Sequence, residues 1–424
     1  MHISDVFTPG DTPDVTYVER NRGQKESELK LQINKKSYIA SITGPSKSGK
    51  SALVDKVVEQ NGGQVSEKIT INGKQIRSER DLWSGILDGL NRPTEKSITT
   101  TDSESGEVTG SLGVNLGGFT ADVGATTGES SSDEVSLIFQ RSVLNYVNNQ
   151  MDNSGNVLIF VDDAHYIPED IHQSIAENIK MAFEYGLNFC FAYIPFRSDD
   201  LTKANNDLQT RTQHIELSDW SPGELKRIAD IGFDELNISV SADLKEHFSR
   251  ESVRSPYLMQ ELCYRFCAIN DIYNKCENEV KFSPSERDIK EILRDTADSL
   301  KYPTAHGIIS GDTRGRSDKQ FNFVDGTEGD RYVALMRGVA ANPPKSSFEM
   351  SEIKKRIDEQ CETKGPEPGN IIQDVKRVSK WMNESDEDDL LFDYSDSKIE
   401  MIDPSLVFHL RWSRTTDFEP ELSR

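Results

Sequence analysis

The stretch 38-YIASITGPSKSGKSALVDKVV-58 contains the pattern that decides the fold. It opens with β-branched and apolar residues, which are typical of a buried parallel strand. It ends with Leu53, Val57 and Val58 at helical spacing. Between these two parts, residues Gly44–Ser51 fit G-x-x-x-x-G-K-[ST] without a mismatch. A strand, a glycine loop and a helix N-terminus in this order surround a polyphosphate with backbone N–H groups and a positive helix end.

The loop predicts a nucleotide site with ATP and Mg²⁺ as cofactors. Lys50 is expected to reach the β- and γ-phosphates, and the hydroxyl of Ser51 is expected to ligate Mg²⁺. The other predicted contacts come from the rest of the loop and the start of the helix: Gly44, Pro45, Ser46, Lys47, Ser48, Gly49 and Ala52. The alternative is a glycine-rich turn that precedes an ordinary helix.

A second motif, 157-VLIFVDDAHYIPED-170, supplies the acidic groups that hydrolysis requires. Its apolar beginning predicts a fully buried strand, and two carboxylates follow at the end of that strand. Asp162 is placed to hold Mg²⁺, and Asp163 is placed to orient or deprotonate the attacking water. The alternative is a strand that simply ends in a polar turn.

Together, Gly44–Ser51 and the sequence VDDAH resemble the Walker A and Walker B motifs of AAA+ and STAND-type ATPases. The ending DDAH is more similar to STAND signalling ATPases and origin-recognition-like ATPases than to the DE of most AAA+ machines. The resemblance implies an ATPase with slow turnover, because the carboxylate of Asp163 is a poorer catalytic base than a Glu.

The same resemblance implies contacts on the adenine side and in a lid. In these families an hhGRxxE signature before the phosphate loop touches the adenine. Tyr17-Val18-Glu19-Arg20 is a loose version without the Gly, which makes Tyr17 and Val18 the expected adenine contacts. Arg254 and Pro256 fall where the families keep a sensor 2 arginine, which meets the γ-phosphate, and a proline that packs on the base. The alternatives are an ordinary helix start for the first pair and a plain helix cap for the second.

Two more arginines stand where relatives keep catalytic ones. Arg197 follows the apolar run 188–194, at the approximate place of the polar sensor 1 residue. Arg211 precedes the fifth core strand, where relatives present an arginine finger to a neighbouring subunit. A finger requires assembly, so the resemblance implies a homo-oligomer. The alternative for Arg211 is a surface salt bridge.

The order of patterns predicts an α/β fold: a P-loop NTPase core with a parallel sheet, a helical lid and a C-terminal winged-helix domain. The lid helices are expected to begin at the N-caps Ser221 and Ser241. The expected segments are an N-terminal segment (1–36), the core (37–218), the lid (219–300), a connector (301–330) and the winged helix (331–424). Within the core, 94–134 is rich in Gly, Ser and Thr and predicts a protruding hairpin with disordered flanks, or else a flexible linker; a hairpin is a candidate oligomer or partner contact.

The C-terminal segment 331–424 predicts three helices, with the second beginning at Ser346, followed by two strands that continue to Trp412. The third helix carries Lys376, Arg377 and Lys380, which favour contact with a phosphate backbone. The segment as a whole has 14 Lys and Arg against 19 Asp and Glu, a net charge of −5. Contact with another protein is therefore favoured over contact with DNA, which stays open.

Composition excludes several other classes of protein. Apolar residues make up 35% of the chain, and no apolar run is long enough to span a membrane. The N-terminus lacks the basic and apolar regions of a secretory signal, and the five cysteines are too scattered for a disulfide framework. Cys263 and Cys267 are expected to pack as small apolar residues. A cytoplasmic protein is expected, and its net charge of −23 disfavours sequence-independent adhesion to nucleic acid.

These patterns lead to a functional hypothesis. The chain is expected to be an ATP-binding and hydrolysing molecular switch that oligomerises and engages a separate effector protein. Prokaryotic antiphage defence systems that pair such an ATPase with an effector are the resembled setting. The alternative is a DNA-binding ATPase that acts as a replication-initiator-like or transposition regulator.

Overall fold

A computed structural model describes residues 1–61, 65–90, 95–101, 109–116, 119–122, 143–144, 156–195, 201, 205–311, 320–385, 391–395, 398–416, 418 and 422. The chain divides into two compact units. The first unit contains residues 1–20, 45–52 and 218–424, and the second unit contains residues 21–44 and 53–217.

The helices and strands of the described residues are numbered in chain order. The helices are α1 (Ile3–Val6), α2 (Gln24–Ile33), α3 (Lys50–Glu59), α4 (Glu79–Gly89), α5 (His172–Ala182), α6 (Asn206–Arg211), α7 (Pro222–Glu235), α8 (Ala242–Glu251), α9 (Pro256–Ile269), α10 (Glu286–Ser299), α11 (Pro303–Ser310), α12 (Arg331–Ala340), α13 (Met350–Gln360), α14 (Pro368–Ser385) and α15 (Pro404–Trp412). The strands are β1 (Ile39–Thr43), β2 (Val65–Asn72), β3 (Glu95–Thr101), β4 (Thr109–Leu116), β5 (Phe119–Asp122), β6 (Asn156–Asp162), β7 (Leu187–Tyr193), β8 (Thr212–Glu216), β9 (Ile238–Val240), β10 (Val280–Phe282), β11 (Phe321–Asn322), β12 (Glu328–Gly329), β13 (Ser347–Glu349), β14 (Phe392–Ser395) and β15 (Lys398–Met401).

The second unit is built on a sheet in which the described strands run in the order β2-β6-β7-β1-β8. Every pairing between them is parallel. This arrangement confirms the predicted α/β fold. Strand β7 lies between β1 and β6, so the strands that carry the two sequence motifs are not direct neighbours.

Both faces of this sheet are covered, as the apolar runs require. Along β6, Val157, Ile159 and Val161 pack in one apolar cluster with residues of α4 and α5. The alternate residues Leu158 and Phe160 pack in a second cluster with residues of α2 and α3. Because side chains alternate across a strand, one fully apolar strand supplies both layers. The result is a sheet between two helical layers.

The segment inserted after α4 contains a separate antiparallel sheet in the order β3-β4-β5. Strands β4 and β5 pair with each other on either side of residues 117 and 118, which is the predicted hairpin. The expectation of disordered flanks is wrong for Glu95–Thr101, because these residues form β3 and pair with β4 along its whole length. The β-branched Ile and Thr residues of this stretch favour a strand.

In the first unit, the helices of residues 218–300 begin at serine N-caps. Ser221 and Ser241 accept hydrogen bonds from the first turns of α7 and α8, which confirms both predicted N-caps. Helices α9 and α10 begin in the same way, at Ser255 and Ser285. Each cap satisfies a backbone donor that would otherwise lack a partner in the first turn.

The C-terminal part of the first unit contains α12, α13 and α14 with an antiparallel sheet in the order β13-β15-β14. Two expectations are wrong here. Residues Ser347–Glu349 form β13 rather than the start of a helix, and Pro404–Trp412 form α15 rather than a strand. The signal for α15 was present, because Asp403 caps it and Pro404 occupies its first position. The connector 301–330 also contains α11 and the short pair β11–β12.

One apolar core extends through the first unit from Ile3 to Leu422. Inside it, Arg411 pairs with Glu251 at 2.8 Å, and both side chains are fully buried. The indole of Trp412 donates to the same carboxylate at 2.8 Å. Removing one partner of such a pair leaves a buried charge without compensation, at a cost of about 3–5 kcal/mol. The pair therefore ties α8 firmly to α15.

Asp374 on α14 is a second buried acid, and its negative charge is less well compensated than that of Glu251. Its side chain is 1% exposed, and Arg331 lies 3.1 Å from one of its oxygens. Burial raises the pKa of Asp374 to about 6, against the lowering effect of Arg331. Between pH 4 and 6 the folded state therefore keeps a proton that the unfolded state has lost, and stability falls as the pH rises through this window.

We predict that Asp374→Asn is more stable than the parent protein at pH 7, and that this advantage is smaller at pH 4. A pKa raised by about two units corresponds to at most about 3 kcal/mol at pH 7, and this figure already includes the attraction to Arg331. The melting temperature of variant and parent should be compared at both pH values. Asp288→Asn is the matched control, because hydrogen bonds from Ser285 lower the pKa of Asp288 and its trend with pH has the opposite sign. An equal difference in melting temperature at both pH values would contradict the assignment.

Candidate nucleotide-binding site

The loop that the sequence assigns to phosphate binding is a compact turn at the start of α3. Its backbone has positive φ angles at Lys47 (57°) and Gly49 (89°). Lys50 is 7% exposed, and its ammonium donates to the carbonyl of Pro45 at 2.8 Å. The cation therefore folds back over the loop instead of extending into solvent.

The chemistry of the loop fits a polyphosphate. The ammonium of Lys50 lies within the turn that the loop backbone forms. The hydroxyl of Ser48 is buried and has no hydrogen-bond partner among the described residues. Buried polar groups are nearly always paired in native proteins, so an unpaired hydroxyl in this loop points to a ligand that carries oxygen acceptors. When a nucleotide binds, it supplies the transferable γ-phosphoryl group; the loop supplies donors and positive charge.

A small pocket lies beside the loop within the first unit. Three predicted phosphate-loop residues line it, and so does Arg254, the predicted sensor 2 residue. The guanidinium of Arg254 donates to Asp219 at 3.0 Å. Val253 and Arg254 both have positive φ angles, 48° and 59°, which bulky residues adopt only when their surroundings enforce it. The complete lining is Pro45, Ser46, Ser48, Asp219, Val253, Arg254, Ser255, Ser346 and Pro404.

The segment before α15 also contacts the phosphate loop, and sequence analysis missed this contact. The ammonium of Lys47 lies 2.8 Å from a carboxylate oxygen of Asp403 and 3.0 Å from the hydroxyl of Ser405. The ring of Tyr257 lies under the same ammonium, 4.7 Å away. The amide of Ser46 donates to the carbonyl of Ile402 at 3.1 Å.

Asp403 is held in place on three sides. One oxygen caps α15 by accepting from the amide of Ser405 at 2.9 Å. The other oxygen accepts from the hydroxyl of Tyr302 at 2.9 Å as well as from Lys47. Burial, with Asp403 nearby, raises the pKa of Tyr302 far above its usual value, so Tyr302 remains a neutral donor. The carboxylate is thus fixed against the loop.

The predicted adenine-side residues lie in the first unit. Val18 is 2% exposed and belongs to the apolar core, whereas Tyr17 is half-buried. Pro256 is half-buried at the first position of α9. Their roles toward a base stay predictions.

The carboxylate motif lies in the second unit, at the carboxyl end of β6. Asp162 ends the strand, and its carboxylate accepts from the amide of Asp163 at 3.0 Å. Asp163 has a positive φ of 52° and begins a short 3-10 turn. A Cβ atom on Gly73 would come within 2.3 Å of the carbonyl oxygen of Asp163, so only glycine permits this turn to pack here. Because the strands are parallel, Gly44 after β1 and Asp162 of β6 lie at the same edge of the sheet.

The remaining predicted residues have simple placements. Arg211 ends α6 just before β8, the edge strand of the sheet, and lies 3.6 Å from Asp207. Its side chain is 39% exposed. Arg197 lies outside the described residues. Within the described ranges, no group of three or more His, Cys, Asp or Glu side chains is arranged to hold a metal ion. Cys263 and Cys267 are fully buried, as predicted, and burial raises the pKa of each thiol.

Comparison with known proteins gives a family match for one part of the chain. A family model described as "AAA domain" matches residues 33–195, a range that includes both motifs. Residues 33–195 are therefore similar to an AAA domain. No curated protein sequence matches the chain. Over the part of the chain that the structure describes, no helix has the length and hydrophobicity needed to cross a membrane.

Several solved structures are similar to this chain over most of its length. The Walker-type ATPase paby2304 of Pyrococcus abyssi has 15% identity and a TM-score of 0.48, covering 94% of this chain and 99% of its own. Cdc6p from Pyrobaculum aerophilum has 11% identity and a TM-score of 0.44, covering 96% and 97%. The Aeropyrum pernix ORC1 protein, solved in complex with DNA, has 11% identity and a TM-score of 0.45, covering 96% and 94%.

Proposed function

We propose that the protein binds ATP with Mg²⁺ and hydrolyses it slowly. The observation that carries this proposal is the loop geometry: a buried lysine folded over a glycine turn at a helix N-terminus. Lys50 and the loop amides neutralise the β- and γ-phosphates, and Ser51 and Asp162 are the metal ligands. Asp163 orients or deprotonates the attacking water. Its carboxylate group follows directly after the buried strand β6.

We further propose that nucleotide binding is coupled to the C-terminal part of the first unit, which makes the protein a switch. Asp403 is an anion fixed against Lys47 of the phosphate loop. A nucleotide phosphate is also an anion, and it competes with Asp403 for the same cation. Phosphate binding therefore weakens the contact between the loop and α15, and that contact in turn weakens phosphate binding.

The remaining parts of the proposal concern assembly and output. Arg211 is partly exposed beside β8, a strand at one edge of the sheet, and we propose that it serves a neighbouring subunit as an arginine finger. We propose that the three helices and antiparallel sheet of the C-terminal part act as a winged helix that engages a separate effector protein. Antiphage defence is the setting we propose for such a pair.

DNA contact is the second candidate for the C-terminal part. Lys376, Arg377 and Lys380 are exposed on α14, whose opposite side is buried in the core. Three exposed cations on one helix favour a phosphate backbone. The acidic net charge of residues 331–424 opposes it, so protein contact stays the leading proposal.

Two substitutions separate binding from hydrolysis. Lys50→Ala should weaken ATP binding about a hundredfold or more in calorimetry, because it removes the cation that meets the phosphates.

Asp163→Asn should leave ATP affinity unchanged and lower phosphate release by about a hundredfold or more. Asn tolerates the positive φ at this position, so the backbone turn is retained. ATP affinity that survives in Lys50→Ala, or phosphate release that survives in Asp163→Asn, would refute the respective role.

A third substitution tests the switch. Asp403→Asn should increase ATP affinity by roughly tenfold, about 1.4 kcal/mol, since it removes the competing negative charge. The amide oxygen of Asn still caps α15, so the helix is retained. Asp330→Asn is the matched control. Asp330 caps α12 in the same way, and its capping bonds come from the amides of Tyr332 and Val333 and not from the loop. Equal or weaker ATP affinity in Asp403→Asn would overturn the coupling.

A further inference from the structure

The carbonyl oxygen of Ser48, inside the phosphate loop, accepts hydrogen bonds from two buried side chains. The indole N–H of Trp220 donates to it at 2.9 Å. The guanidinium of Arg20 donates to it at 3.4 Å. Trp220 is 6% exposed and Arg20 is 5% exposed. Sequence analysis placed Arg20 beside the adenine contacts and gave Trp220 no role.

Arg20 is itself held by several groups. A second guanidinium nitrogen donates to the carbonyl of Ser218 at 2.7 Å. The guanidinium carbon lies 4.1 Å from the centre of the Trp220 ring, and Glu224 lies 3.9 Å from Nε. Glu224 in turn belongs to the capping box of α7. The planar cation is thus stacked on the indole while both donate to one oxygen, an arrangement that a lysine cannot reproduce.

This arrangement fixes the direction of one peptide plane. In a trans peptide the C=O and N–H groups point to opposite sides. Holding the Ser48 oxygen against Trp220 and Arg20 therefore turns the amide of Gly49 to the opposite side. Gly49 can adopt the required φ of 89° because it lacks a side chain. A Cβ atom added to Gly49 would lie 3.9 Å from the indole, an ordinary contact distance, so the φ angle is what favours glycine here.

We propose that Arg20 and Trp220 are positioning residues for phosphate binding, which act by directing the amide of Gly49 toward the nucleotide phosphate. The proposal rests on the proposed ATP-binding function of the same loop. Neither residue touches the phosphate: each acts through the Ser48–Gly49 peptide. A peptide that is fixed before binding loses little conformational freedom when the phosphate arrives, and this gain appears as affinity.

The test uses conservative variants of the full-length protein and calorimetric titration with ATP. Trp220→Phe keeps the ring and removes the donor, and Arg20→Lys keeps the charge and removes the planar fork. Each should weaken ATP affinity roughly tenfold, about 1.4 kcal/mol, the size expected for one hydrogen bond to a carbonyl that directs a ligand contact. Since both donors act on one oxygen, the double variant should lose less affinity than the product of the two single losses.

A purely structural role predicts a different result. Trp412→Phe is the matched control, because it removes an equivalent buried indole donor, the one bonded to Glu251. It should lower the melting temperature and leave ATP affinity unchanged, whereas Trp220→Phe and Arg20→Lys should weaken ATP affinity in addition to any effect on the melting temperature. If Trp220→Phe fails to fold, Arg20→Lys decides the question alone.

The outcomes separate this inference from the function on which it rests. If the parent protein does not bind ATP, the proposed function is wrong. If the parent binds ATP and Lys50→Ala does not, while the Arg20 and Trp220 variants bind as tightly as the parent, the positioning role is overturned and the function stands. Losses of affinity that multiply fully in the double variant would show two independent effects and contradict action through one peptide.

Discussion

The backbone of the phosphate loop exposes more polar groups than a tight turn can pair within itself. The rest of the first unit satisfies them. Lys50 donates to the carbonyl of Pro45, and the hydroxyl of Ser255 donates to the carbonyl of Lys47. Trp220 and Arg20 donate to the carbonyl of Ser48. The carbonyl of residue 402 accepts from the amide of Ser46. Apart from Lys50, these partners lie outside both the loop and the sheet, so the loop conformation also depends on segments far away in the sequence.

This dependence is what makes a switch physically reasonable. The residues that hold the loop belong to a unit with one continuous core, in which the buried pair of Arg411 and Glu251 ties α15 to α8. In the proposed switch, a displacement of Asp403 therefore acts on a packed core. In the proposed switch, a nucleotide phosphate competes with one carboxylate, and it can shift the equilibrium only by the difference in its affinity for the two states.

Much of the fold was predictable because its signals are local. The apolar strands β1 and β6, the loop of Gly44–Ser51 and the serine N-caps follow from periodicity and capping chemistry over a few residues. The contacts of Asp403 and Trp220 with the loop were not predictable, since they join residues more than 150 positions apart and no short pattern encodes them. The sequence analysis did not predict α15, although Asp403-Pro404 is a typical helix start, because the apolar residues of this segment also alternate as they do in a strand. The role of Gly73 depends on how close the Asp163 backbone lies, which spacing alone does not reveal.

The most direct test of competition between nucleotide and Asp403 is amide hydrogen exchange with and without ATP and Mg²⁺. In the resting protein the amides of Ser405 and Leu406 are bonded to Asp403, and the amide of Ser46 is bonded to residue 402. Binding of ATP should slow exchange at Gly49 and Lys50 and speed exchange at Ser405 and Leu406, with neither change in Lys50→Ala. Slower exchange in the loop with unchanged exchange at Ser405 and Leu406 would show that ATP binds without releasing the C-terminal contact, and would contradict the account.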